Sequence, residues 1–117
     1  MRNYDLKTRT YKFGLDVILC CKQIKIDMYN KPIIVQLIRS STSVGANYCE
    51  AINSSSKKDM RNKFFICKKE IEESRYWLKL LFDIHIEKRV VFRELHIEAF
   101  ELLKIFQKSI NTLNKSL

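Results

Sequence analysis

Four cysteines, two histidines and thirteen carboxylates are the residues in this sequence that could ligate a metal or attack a substrate. Cys20, Cys21, Cys49 and Cys67 form no CxxC pair and no Cys/His ligand spacing, so neither a zinc site nor a disulfide framework is indicated. Reduced thiols acting as small core residues are the expectation. Di-metal carboxylate bundles need Glu-x-x-His, which sets two ligands one helical turn apart on an inner face. Phe82 stands three before His85 and Arg93 three before His96, so neither histidine has that partner. HExxH, GxSxG and a phosphate-cradling glycine loop are also missing from the sequence. A histidine near a helix end, as at His85, is expected to meet C-terminal carbonyls or solvent. No catalytic residue, metal or cofactor is expected, which points to a non-enzymatic protein.

Two polar constellations remain. Arg39, Ser43 and Asn47 recur every four residues with Glu50 three further on, a polar stripe beside an apolar one. Lys63, Glu70, Glu73 and Trp77 share a second face, with Lys68, Lys69 and Arg75 near it. Either these are surface ion pairs worth ~0–1 kcal/mol each, or a network that fixes helix register or a subunit contact. Within RSSTSVGANY, residues 39–48, Ser41 and Gly45 lie four apart on the inner stripe, and Thr42 and Ala46 four apart about a quarter-turn round. A mid-helix Gly costs ~1 kcal/mol relative to Ala, so packing must offset this composition. One small face is expected to seat a large residue of another helix, and the second suggests a neighbouring subunit. The candidate packing and oligomer seam is Arg39, Ser41, Thr42, Gly45, Ala46, Asn47 and Glu50; the candidate polar network is Glu70, Glu73 and Trp77.

The elements that carry these residues follow from period and punctuation. Two Gly and one Pro in 117 residues leave few turns, so the elements are long and helical, in a single domain spanning 1–117. A first helix over about 6–28 has two apolar faces, Tyr11, Leu15, Ile18, Leu19 and Phe13, Val17, Cys20, Ile24, Met28, and is expected to be covered on both. Asn30 is a candidate cap and Pro32 suits a first turn. A second helix, about 32–53, has Ile34, Leu37, Ile38, Ser41, Gly45, Tyr48 and Ile52 as its inner stripe. Ser56 and Asp59 resemble a capping box with Asp in place of Glu. A third helix, about 57–85, alternates four and three through Met60, Phe64, Cys67, Ile71, Ser74, Leu78 and Leu81. A fourth, about 88–116, aligns Phe92, Leu95, Ala99, Leu102, Phe106, Ile110 and Leu113. Four long helices with short connections predict an all-α, antiparallel up-down-up-down four-helix bundle.

Twenty-two Lys and Arg against thirteen Asp and Glu leave a formal charge of +9, spread along the chain without a detachable basic tail. Such a field attracts polyanions. The candidate nucleic-acid contacts are Arg2, Lys7, Arg9, Lys12, Lys57, Lys58, Arg61 and Lys63, near the starts of the first and third helices, which an up-down bundle brings to one pole. No stacking aromatics lie among them, so little sequence specificity is expected. No apolar run approaches the ~20 residues that span a bilayer, and MRNYDLKTRT is too polar for a signal peptide; a soluble cytoplasmic protein without a membrane partner is expected.

Tyr4-Asp-Leu-Lys-Thr-Arg-Thr-Tyr-Lys-Phe13, Gln36-Leu-Ile-Arg-Ser-Ser-Thr-Ser-Val-Gly-Ala-Asn47 with Glu50-Ala51, Ser56-Lys-Lys-Asp59, and Lys68-Lys-Glu70 through Glu73 to Tyr76-Trp77-Leu78 occur in that order. Over roughly the first 85 residues the chain resembles the bacterial four-helix bundle proteins of the 23S rRNA intervening-sequence family, and its last helix matches in pattern. Met60, Ile71 and Cys49 depart from the family's usual Phe, Ala and polar or basic residue. The resemblance implies a helical bundle and, in related members, a ring-shaped homopentamer; spacing alone does not count subunits. A related branch, the accessory variability determinant proteins of diversity-generating retroelements, works with a reverse transcriptase and nucleic acid. Three functional readings stay open: an oligomeric bundle that binds nucleic acid, RNA favoured, through phosphates; a scaffold or accessory factor for a protein such as a reverse transcriptase; and an intervening-sequence product with no host function.

Overall fold

A computed structural model describes residues 6–117. Helix α1 spans Leu6–Cys21, α2 Lys31–Ile52, α3 Lys57–Ile84 and α4 Arg89–Lys115, with a single 3-10 turn at Ile86–Lys88 between the last two. Each neighbouring pair runs antiparallel. Arg39 meets Glu70 and Glu73 while Lys63 meets Glu50; Arg61 reaches Asn114 while Arg89 lies on Phe82; Gly14 abuts Thr42 while Gly45 abuts Thr10. The up-down-up-down all-α bundle is therefore the observed architecture, about 47 Å long. Arg2 lies outside the described residues.

The long apolar seams of α3 and α4 form the core. Phe64, Cys67, Ile71, Ser74, Leu78 and Leu81 are buried from α3, and Phe92, Leu95, Ala99, Leu102, Phe106 and Ile110 from α4. Phe64 and Phe106 meet edge to face at 5.5 Å between centroids, with Tyr48 of α2 completing an aromatic cluster. Ser56 caps α3 by accepting from the Asp59 N–H at 3.1 Å. The reciprocal half of a capping box is not made, because the Asp59 carboxylate accepts from the Ser55 hydroxyl instead.

Three expectations are corrected. First, α1 stops at Cys21 rather than near residue 28. The Asp27 carboxylate accepts the N–H groups of Tyr29 and Asn30, while Asn30 accepts from the Asp27 N–H and donates to the Lys25 carbonyl. These local bonds give the backbone an alternative to the helical ladder. Asn30 thus occupies the N-cap position of α2 without a side-chain cap bond; its fully buried side chain also lies 3.3 Å from His85 Nε2, tying the loop to the α3–α4 turn. Second, α2 buries Ser40, Val44 and Ala51 as well as Ser41, while Ile52 is exposed. Lying between α1 and α3, it presents Ser41 and Gly45 to one and Ser40 and Val44 to the other. Third, only one of the two apolar faces of α1 is covered: Tyr11, Leu15 and Leu19 are exposed, and Met28 is exposed in the loop that follows.

Candidate nucleic-acid interface and helix seams

The starts of α1 and α3 share one end of the bundle, where Leu6, Met60 and Phe64 border the same groove. The candidate cations there divide into two groups. Arg9 is committed: its guanidinium grips Glu98 through Nε at 3.1 Å and a terminal nitrogen at 2.7 Å, and that side chain is 11% exposed. The bond to Glu98, partly opposed by burial, raises its pKa further. Lys12 pairs with Asp16 one turn along, Lys63 with Glu50 at 2.6 Å, and Arg61 donates to the Asn114 side chain at 3.0 Å. Lys7, Lys57 and Lys58 are exposed and have no carboxylate partner among the described residues.

The two polar constellations of α2 and α3 face each other. One terminal nitrogen of Arg39 is 3.3 Å from Glu70, and the other is bonded to Glu73. Trp77 Nε1 donates to that same Glu73 carboxylate at 3.3 Å. Asn47 and Ser43 lie outside this network, bonding backward to carbonyls of their own helix. Beneath the ion pairs, Ser40 and Ser74 share a buried hydrogen bond of 2.7 Å, and Cys67 donates to the Val44 carbonyl at 3.5 Å. Burial pushes the Cys67 and Cys21 thiols up to about 12 and also raises Cys20, as inert core thiols require. Cys49 is the exception to the expected cysteine burial, being exposed on α2. Among the described residues no cluster of three metal-ligating side chains forms. No helix among them is long and apolar enough to cross a membrane.

The small residues do not seat a large side chain; they seat a backbone. A Cβ added to Gly14 would stand 3.3 Å from the Thr42 Cα, and one on Gly45 3.4 Å from the Thr10 carbonyl. Both glycines of the chain thus lie at the α1–α2 crossing, and Thr42 and Ala46 continue outward into a groove of about 700 Å³ lined also by Tyr11, Leu15 and Cys49.

A surface absent from the candidate set runs along α3 and α4. Arg89 and Lys79 stand over the Phe82 ring at 5.0 and 5.2 Å, and Arg75 and Lys104 over Phe100 at 4.9 and 5.0 Å. Lys79, Phe82, Arg93 and His96 line a small hollow between them. His96 is held below the ordinary histidine pKa, first by burial and then by the charges of Arg75 and Lys79. The sequence signal is the recurrence of basic and aromatic residues every three or four positions, Arg75, Lys79, Phe82 on one helix and Arg89, Arg93, His96, Phe100, Lys104 on the next. It shows only when both helices are read as facing neighbours.

Comparison with known proteins agrees with this architecture. A family model described as 23S rRNA-intervening sequence protein matches residues 2–108, extending the likeness into α4. A solved structure, a protein of unknown function from the S23 ribosomal protein family of Bacteroides thetaiotaomicron, shares 28% identity with a TM-score of 0.79, over 95% of this chain and 99% of that one. No curated protein matches the sequence. The chain belongs to the 23S rRNA-intervening sequence protein family.

Proposed function

We propose that this protein is a non-enzymatic, basic, homo-oligomeric bundle that binds nucleic acid, RNA in the first place, through phosphate contacts. The observation that carries the reading is the surplus of uncommitted cations. Among the described lysines and arginines, only Arg9, Lys12, Arg39, Lys63, Lys79 and Lys104 are ion-paired, in a chain of formal charge +9. Lys57 and Lys58 stand in the first turn of α3, where the helix dipole already places positive charge. An incoming phosphate relieves that repulsion. RNA is favoured over DNA because the family is described by 23S rRNA intervening sequences. Titration of a structured RNA hairpin at rising salt tests the reading. Affinity should fall steeply between about 50 and 200 mM salt; absent binding at low salt, or a flat response, rejects it.

Self-association has its own observation. Tyr11 at 70% exposure and Leu15 at 39% stand beside the hollow left by Thr42 and Ala46, so large and small apolar surfaces adjoin on one face. Knob on one copy into hollow on the next is a heterologous contact, which closes into a ring when its rotation allows. A pentamer, as the family resemblance implies, is the proposed stoichiometry. Solution mass of the purified protein tests it, and a monomer at all concentrations removes it. A scaffold role for an acidic protein partner would show as binding to that partner with no affinity for RNA.

A further inference from the structure

We propose that the outer face of α3 and α4 is a binding strip for single-stranded RNA, with Arg75, Lys79 and Arg93 taking phosphates and Phe100 offering a stacking surface; this rests on the nucleic-acid reading above. Arg75 and Arg93 have no carboxylate partner among the described residues, and Arg75 Nε is buried without an acceptor there. The rest of the Arg75 guanidinium lies over the Phe100 ring, a ring 43% exposed on a face it does not need for the core. A guanidinium held over an aromatic ring adds a planar cation beside a surface on which a base can stack. From Arg89 to Phe100 the strip rises along eleven residues of α4, about 16 Å, with aromatic rings interleaved between cations. Interleaved rings and cations along a line are what an unpaired strand uses, because its bases are free to leave the backbone track. A duplex hides its base faces within the stack, so a stacking ring serves an unpaired strand. Glu94 and Glu98 of α4 line grooves with α1 instead, while on the strip Lys79 pairs with Asp83 at 3.1 Å and Lys104 with Glu101 at 2.9 Å, exposed pairs that a phosphate can replace.

The test compares two charge-neutralised variants of the full chain against a labelled oligouridine of about 12 nucleotides and a blunt RNA duplex. In Arg75→Gln/Lys79→Gln/Arg93→Gln, single-strand affinity should fall about tenfold or more and the salt slope should flatten by about 2, the value for three phosphates on a single strand. Lys7→Gln/Lys57→Gln/Lys58→Gln, which removes the contacts of the pole, should weaken the duplex severalfold and weaken oligouridine by less than the strip variant does. Phe100→Leu, which keeps the apolar bulk, should weaken oligouridine severalfold and leave the duplex unchanged. Circular dichroism establishes that each variant is folded, and Phe100→Leu carries the test alone if the triple variant is not. If the strip variant binds like wild type while the pole variant loses RNA, the strip is wrong and the nucleic-acid reading stands. Equal losses in both variants also overturn assignment to the strip, and equal effects of Phe100→Leu on strand and duplex overturn the single-strand assignment. Wild-type protein that binds neither RNA at low salt overturns both proposals.

Discussion

The α1–α2 and α3–α4 crossings are built on opposite principles. At α1–α2 bulk is removed: Gly14, Gly45, Thr10 and Ser41 let two backbones approach to contact distance. At α3–α4 bulk is added: Phe64, Leu78, Leu81, Phe92, Leu102 and Phe106 are buried along the two helices. The consequence appears on the outside. Where small residues meet, the surface is left apolar and hollow, with Tyr11 and Leu15 standing over it. Where large residues meet, Arg75 and Arg89 lie back over the Phe100 and Phe82 rings. Under the proposals above, one side takes a second copy of the protein and the other a polyanion.

The largest effect should come from emptying the second crossing. Phe106→Ala removes a fully buried ring from the aromatic cluster and should cost about 3–5 kcal/mol in urea unfolding. A loss under about 1 kcal/mol would mean that the cluster is not where the fold's stability resides. Overfilling the first crossing comes next. Gly14→Leu has the Thr42 backbone in its way and should cost about 1–3 kcal/mol, with α1 amides losing hydrogen-exchange protection before the rest. Gly45→Ala sharpens the same point in reverse: its methyl would sit in ordinary contact with Thr10, and the helix gains propensity, so stability should hold or rise by up to ~1 kcal/mol. The smallest change in this set is Arg39→Ala. Its side chain is 44% exposed, and solvent screening leaves about 0–1 kcal/mol for its pairs with Glu70 and Glu73.

Acidification probes the basic side. His96 has a folded pKa below its unfolded value, so the unfolded chain binds more protons across that window. Stability from this group is present above the ordinary histidine pKa of about 6.5 and is lost as pH falls through the depressed folded value. His96→Gln should remove that slope from a series of melting curves. An unchanged slope would show that neither burial nor the charges of Arg75 and Lys79 depress this ring's pKa.

The seams of α3 and α4 were legible because their four-three positions form one continuous buried stripe, so period alone reports burial. For α2 the period was legible but its phase was not, since a helix between two others buries two faces and Ser40 and Ser41 are both interior. The end of α1 was hidden because Ile24 still enters the core after the helix has stopped, keeping the apolar spacing alive through a loop. Among candidate cations, sequence could not separate Lys57 and Lys58 from Arg9 and Lys63, whose partners Glu98 and Glu50 are distant in the chain. The α3–α4 strip needed register between two helices, which only the folded chain supplies.

Sedimentation velocity with labelled oligouridine at saturating protein tests the division of the bundle into two working sides most directly. Tyr11→Ser/Leu15→Ser should reduce the protein to a monomer that still carries RNA. Arg75→Gln/Lys79→Gln/Arg93→Gln should sediment at the wild-type oligomeric mass with most of its oligouridine released at the protein concentration that just saturates the wild type. Variants that change mass and RNA binding together, or that change neither, would contradict the account.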